Sequence, residues 1–123
     1  MTDLLATLLV WTLAQSPQYS ASGQPQFLLT PTAKTEMTGG YEDGTDLIWI
    51  TDVPGAESSN VRFRALVVHE LTHWLQDQSG QYRGDTTCPT WQKREREAFD
   101  LQRRYLLQHG ARPGPVPVLQ CYP

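Results

Sequence analysis

The chain lacks an apolar run of about 20 residues, the length that a transmembrane helix needs, so the sequence predicts no membrane-spanning segment. Residues 4–14 form an apolar stretch near the N-terminus, but Thr7 and Thr12 interrupt it. Asp3 stands where a signal peptide would carry positive charge. We therefore expect residues 3–15 to form the first helix of the fold and not an export signal.

The chain also lacks the surplus of basic residues that is typical of nucleic-acid-binding proteins. Its 10 lysines and arginines and 13 acidic residues give a net charge of −3. Hydrophobic residues make up 39% of the chain and charged residues 19%, which is ordinary for a soluble globular protein. We expect a single soluble domain over residues 1–123, monomeric, with no nucleic-acid or membrane partner.

Cysteine is scarce, and Cys88 and Cys121 lack the Cys-x-x-Cys spacing of common zinc sites. In an oxidising compartment they could form a disulfide that closes a loop of about 34 residues, worth about 4 kcal/mol in the chain-entropy model. In the cytoplasm they would stay reduced. The sequence leaves both the pairing and the compartment open.

Hydrophobic periodicity and turn residues divide the chain into segments typical of an α+β fold. We predict helices at residues 3–15, 60–78 and 91–108, and strands at residues 26–30 and 46–51. Ser58 or Ser59 is the predicted N-cap of the second helix, and Gly80 its stop. Pro113, Pro115 and Pro117 predict an extended tail over residues 111–123.

Residues 69–73 read His-Glu-Leu-Thr-His inside the second predicted helix. Side chains four residues apart share one helix face, so His69 and His73 can bind one metal ion together. Glu70 can reach a water molecule beside that ion. This arrangement is typical of metal-assisted hydrolysis. The alternative is a pair of surface histidines on an ordinary helix.

A catalytic zinc ion normally takes three protein ligands and leaves one position for water. The pattern with a third histidine would require glycine and histidine where this chain has Gln76 and Ser79. The third predicted helix offers acidic residues instead. Its apolar face comprises Trp91, Ala98, Leu101, Tyr105 and Leu106.

Glu95 points into that apolar face, Glu97 points to one side, and Asp100 lies nearly opposite. A carboxylate on an apolar face costs free energy unless a cation compensates its charge. We therefore predict Glu95 as the third metal ligand and keep Glu97 as the alternative. In the competing interpretation, both glutamates form salt bridges to arginines on a solvated surface.

The motif, followed on a later helix by Glu95-Arg96-Glu97-Ala98, resembles the zincin metallopeptidases, and within them the gluzincins. Their third ligand is a glutamate, often in the pattern Glu-x-x-Ala. The chain also looks like small bacterial zincin-like domains, over residues 46–106. The resemblance implies a minimal zincin-like domain, in which a small sheet packs on the motif helix and a second helix bears the glutamate. It also implies that residues 46–51 form an edge strand along the cleft, which would pair with an extended substrate.

One position departs from that resemblance. The best-known gluzincins carry an aspartate four residues after the ligand glutamate, where it supports a histidine, and this chain has Phe99 there. Either another group orients the imidazole, or the site binds its metal more weakly.

The predicted function is hydrolysis of peptide bonds in a peptide or protein substrate. One Zn²⁺ per chain, held by His69, His73 and Glu95, would activate water, and Glu70 would act as the general base. Candidates for stabilising the developing negative charge are Tyr82, Tyr105 and His109, each of which also has a structural interpretation. The alternative function is a binding or regulatory module of zincin fold, with little or no general protease activity. A regulatory form of it would act on one partner protein only.

Overall fold

The computed structural model describes residues 2–31, 38–52 and 60–121. Within these residues, three helices and three strands form a fold of the predicted α+β class. In chain order they are α1 (Thr2–Gln15), β1 (Gln26–Pro31), β2 (Gly39–Tyr41), β3 (Leu47–Asp52), α2 (Val61–Ser79) and α3 (Cys88–Gln108). The sheet packs on α2, and α3 packs on another side of the same helix. No helix among the described residues is both long enough and apolar enough to cross a bilayer.

The three strands form a mixed sheet in the order β1-β3-β2. β3 pairs in parallel with β1 and antiparallel with β2. The prediction that residues 46–51 form an edge strand is therefore wrong, because β3 is the central strand. β2 escaped the sequence prediction because two of its three residues, Gly39 and Gly40, have low strand propensity. Its pairing with Ile48 and Ile50 of β3 holds it in the sheet.

α2 begins at a cap that the sequence analysis did not select. The side-chain oxygen of Asn60 accepts hydrogen bonds from the backbone N–H groups of Arg62, at 2.8 Å, and Phe63, at 3.3 Å. Asn60 is therefore the N-cap. The prediction of Ser58 or Ser59 was wrong, and those two residues lie outside the described part of the chain. At the other end, Gly80 takes a left-handed φ of 71°, which ends the helix as predicted.

The core surrounds α2, which is why this helix is buried on nearly every side. The buried apolar side chains of α1 are Leu5, Leu8 and Leu9; those of β3 are Ile48 and Ile50; those of α3 are Ala98, Leu101, Tyr105 and Leu106. Every residue of α2 from 67 to 72 is also buried. The His-Glu-Leu-Thr-His motif thus lies on the most enclosed helix, where packing restricts the movement of its backbone.

α3 begins at Cys88, three residues before its predicted start. Pro89 lies in the first turn, where its missing N–H has no intrahelical acceptor to lose. Cys88 forms a disulfide with Cys121, with Cα atoms 5.9 Å apart. The tail follows α3 without regular secondary structure up to residue 121, and the side-chain amide of Gln92 donates to the carbonyl of Leu119. The start of α3 is therefore attached to the end of the described chain.

Candidate metal centre

Two helices bring the three predicted metal ligands together. His69 and His73 lie one turn apart on α2, and Glu95 reaches them from α3. The Nε2 atom of His73 is 2.6 Å from Oε1 of Glu95, and Nε2 of His69 is 3.4 Å from Oε2 of the same carboxylate. Oε1 of Glu70 lies 3.8 Å from Nε2 of His69. Both imidazoles therefore direct Nε2 toward one carboxylate, with a second carboxylate beside them.

This donor set suits a divalent ion such as zinc. Two atoms that each lie about 2.0–2.1 Å from a tetrahedral zinc ion are about 3.3 Å from each other. The 3.4 Å separation between His69 and Glu95 matches that value, whereas the 2.6 Å contact of His73 is a hydrogen bond that a bound ion would replace. Ligand atoms of His69, Glu70 and His73 also lie within 4.8 Å of one another. Two imidazole nitrogens and one carboxylate are a common ligand set of catalytic zinc.

Glutamines, not carboxylates, hold the outer nitrogens of both imidazoles. Nδ1 of His69 lies 2.8 Å from Oε1 of Gln102, and Nδ1 of His73 lies 2.9 Å from Oε1 of Gln76. An amide oxygen accepts a hydrogen bond from a protonated Nδ1, which leaves the Nε2 lone pair available for a metal. Phe99 packs edge-on against His69, with ring centroids 4.5 Å apart. The position where gluzincins carry an aspartate is thus apolar here, and Gln102 orients His69 instead.

Glu97, the alternative third ligand, lies in the layer behind the histidines. Its Oε1 accepts hydrogen bonds from the hydroxyl of Tyr19 and, at 3.2 Å, from Nε2 of Gln76. Asp100 forms an exposed ion pair with Arg104, one turn along α3. Of the three acidic residues considered on α3, the structure therefore brings only Glu95 to the two Nε2 atoms. Sequence reasoning missed Gln76 and Gln102, although Gln76 lies three residues after His73.

The carboxylate of Glu95 and the imidazole of His73 shift each other's pKa. Burial alone would raise the pKa of Glu95, but hydrogen bonds from His69 and His73 outweigh it and lower the value to about 2. For His73 the directions are reversed. Burial alone would lower the pKa of His73, but the hydrogen bond and the charge of Glu95 outweigh burial and raise that pKa above its ordinary value. Each of the two groups therefore favours the charged form of the other.

Glu70 lies in a different environment, between α2 and the edge of the sheet. It is buried, and a Cβ atom placed on Gly39 of β2 would be 3.4 Å from its Cγ. Burial raises the pKa of Glu70, and the positive charges of His69 and His73 oppose that shift. A carboxylate that holds its proton more readily than usual suits a general base.

A cleft of about 700 Å³ opens beside the ligands, with His73 and Glu95 in its wall. Most of the rest of the wall comes from the loop between β2 and β3, the connection between α2 and α3, and the first turns of α3. Trp91 lines this cleft and is 44% exposed, so it does not pack in the core with the rest of the apolar face to which the sequence assigns it. Its place in the first turn of α3 explains this, because the buried part of α3 starts at Ala98.

The three candidates for stabilising negative charge lie in two different parts of the structure. Tyr105 is buried, lies edge-on to Trp11, and stacks on the imidazole of His109 with centroids 3.9 Å apart. His109 also contacts the carbonyl of Tyr105 through Nδ1 at 2.8 Å. These contacts assign both residues to packing at the C-terminal end of α3. Tyr82 lines the cleft, as His73 does.

Comparison with protein-family models, with curated proteins and with solved structures found no match to this chain. The relation to gluzincins is therefore a resemblance of motif and spacing. What the chain can do has to be inferred from the contacts of its own residues.

Proposed function

We propose that this protein is a zinc-dependent hydrolase that cleaves peptide bonds, with His69, His73 and Glu95 as zinc ligands and Glu70 as general base. One observation carries the proposal. The Nε2 atoms of His69 and His73 lie 3.4 and 2.6 Å from the two oxygens of the Glu95 carboxylate, and each imidazole is hydrogen-bonded through its other nitrogen. That combination of inner and outer contacts is typical of metal-binding histidines.

Zinc, when bound, lowers the pKa of water and polarises a carbonyl oxygen. Glu70 supplies the proton transfer. Its carboxylate lies on the same side of α2 as Nε2 of His69, at 3.8 Å, so it is next to the place where the nucleophilic water has to be. It would accept a proton as water attacks the carbonyl carbon, and return that proton to the amine as the C–N bond breaks.

The cleft and the sheet edge favour a peptide as substrate. A volume of about 700 Å³ lies within the range of ligand-binding sites and can accept side chains next to the scissile bond. β2 lies at the edge of the described sheet, and Gly39 brings this strand close to Glu70. An extended peptide can add to such an edge by backbone hydrogen bonds. Tyr82, which is in the cleft wall, is the donor best placed to stabilise negative charge on the carbonyl oxygen.

A second candidate function follows from the distances between Glu70 and the two histidines. Glu70 is close enough to His69 and His73 for its carboxylate to join them as a ligand. With Glu95, four protein ligands would then close the coordination sphere, as in structural zinc sites. The protein would be a binding or regulatory module with little or no general protease activity.

The Glu70→Gln variant separates the two candidates. If Glu70 is the base, the variant keeps its zinc and cleaves a peptide library about 10²–10⁴-fold more slowly than wild type. Asp100→Asn is the control, because Asp100 is an exposed carboxylate that pairs with Arg104 outside the cleft, and it should keep both zinc and activity. Loss of zinc from Glu70→Gln would favour the closed site. Cleavage at the wild-type rate would show that Glu70 is not the base.

A further inference from the structure

Gln76 is a polar side chain with 0% exposure in the interior of the protein. A primary amide donates two hydrogen bonds and accepts two, and Gln76 makes all four. Its Nε2 donates to the carbonyl of Arg94, at 3.0 Å, and to Oε1 of Glu97, at 3.2 Å. Its Oε1 accepts from Nε of Arg94, at 3.1 Å, and lies 2.9 Å from Nδ1 of His73. The amide is therefore fully satisfied.

This set of partners fixes which end of the amide faces His73. The nitrogen has two oxygen acceptors, and the oxygen has the guanidinium N–H of Arg94, which can only donate. Turning the amide over would place donor against donor and oxygen against oxygen. The fourth partner, Nδ1 of His73, must therefore carry a proton. Nε2 of His73 then has the lone pair that a metal requires.

The two neighbours of Gln76 are themselves held in place. The guanidinium of Arg94 forms two hydrogen bonds to the carboxylate of Asp43, at 2.8 and 2.9 Å, across the cleft. Glu97 accepts a hydrogen bond from the hydroxyl of Tyr19, in the segment after α1. The orientation of Gln76 is thus supported from two separate parts of the chain.

We propose that Gln76 is the positioning residue of the metal centre: it fixes the tautomer and ring orientation of His73, so that Nε2 is directed at the ion. The inference rests on the proposed function to the extent that a metal binds there. Simple space-filling does not explain Gln76, because leucine would fill this interior position without needing four partners. Gln102, which contacts His69, is only half-buried and has one hydrogen bond among the described contacts. It is therefore expected to hold its histidine less firmly.

The first experiment compares zinc affinity in Gln76→Leu and in Gln78→Leu, the latter an exposed position on the same helix. Affinity is measured by competition with a chelator, and ligand geometry by the visible absorption spectrum of the Co²⁺-loaded protein. We expect about 10–100-fold weaker zinc binding and an altered Co²⁺ spectrum in Gln76→Leu, with neither change in Gln78→Leu. A folded Gln76→Leu protein with wild-type affinity and an unchanged spectrum would overturn the proposal.

The second measurement uses the wild-type protein, so it decides the matter even if Gln76→Leu does not fold. Side-chain ¹H–¹⁵N NMR reports whether Nδ1 of His73 carries a proton that exchanges slowly with water, with and without Zn²⁺. The proposal predicts that it does in both states. An unprotonated or rapidly exchanging Nδ1 would overturn it. Failure of the wild type to bind zinc would instead remove the proposed function, and the NMR result on the metal-free protein would still decide the contact between Gln76 and His73.

Discussion

Nε2 of His73 and Oε1 of Glu95 lie 2.6 Å apart, and this contact joins α2 to α3 in the interior of the protein. Ala98, one turn after Glu95, has no exposed surface, and its small side chain lets the two helices approach each other. The same carboxylate reaches His69 through its other oxygen, at 3.4 Å. Glu95 is therefore the residue that makes one site from two helices.

Replacing Glu95 by glutamine should weaken zinc binding more than any change behind the histidines. Loss of a ligand should exceed the roughly 10–100-fold cost that is usual for loss of an outer partner. Glu97→Gln is the matched control, because it keeps an oxygen that can accept from Tyr19. We expect its zinc affinity to stay within about tenfold of wild type. Chelator competition measures both, and the reverse order of effects would make Glu97 the ligand.

Gly39→Ala should disturb the packing of β2 against β3. A Cβ atom at this position would lie 2.6 Å from Cδ1 of Ile50 and 3.1 Å from the carbonyl oxygen of Trp49. Relieving these contacts should lower the free energy of unfolding by about 1–3 kcal/mol and reduce hydrolysis, because β2 lies against Glu70. Gly114→Ala, with no atom within 4 Å, is the control. Urea unfolding of both variants gives the comparison, and equal stability would contradict the described packing.

The disulfide between Cys88 and Cys121 should contribute strongly to stability. It joins residues 33 apart in sequence and attaches the tail to the start of the helix that carries Glu95. In the chain-entropy model, a loop of this length contributes about 4 kcal/mol. We expect the double variant Cys88→Ser, Cys121→Ser to lose about that much unfolding free energy. A reducing agent should destabilise wild type and leave the variant unchanged. A wild type that does not respond to the reductant would contradict the pairing.

The ion pair between Asp43 and Arg94 should make stability depend on pH. The hydrogen bond from Arg94 lowers the pKa of Asp43 below its ordinary value of about 3.9. Because the folded-state pKa is the lower one, the contribution is complete above that ordinary value and is lost as pH falls through the folded-state pKa. Asp43→Asn should therefore be less stable than wild type at pH 7, by at most about 1 kcal/mol because Asp43 is exposed. The unfolding free energies of wild type and Asp43→Asn are measured in urea at several pH values. A difference between them that does not become smaller below about pH 3 would contradict this prediction.

The parts that the sequence predicts well are those that short-range rules determine. Apolar periodicity located the three helices, and glycine geometry located the end of α2 at Gly80. The facing argument also selected Glu95 correctly as the acidic residue of α3 that reaches the histidines, because a carboxylate on a buried face needs a partner there.

The parts that it missed depend on contacts between distant segments. β2 forms because it pairs with the edge of β3, whereas its two glycines do not favour a strand. The central position of β3 likewise follows from two pairings that the local pattern does not encode. Gln76 and Gln102 look like ordinary helix residues until His73 and His69 are placed beside them. Long-range pairing, not propensity, decided each of these features.

The most direct test of the metal centre is the zinc content of purified protein after loading and removal of excess metal. Wild type is compared with His73→Ala and with His109→Ala, the latter a histidine that packs on Tyr105 away from the site. The account predicts about one zinc ion per chain in wild type and in His109→Ala, and almost none in His73→Ala. A wild-type protein that retains no zinc, or a His73→Ala variant that retains as much as wild type, would contradict it.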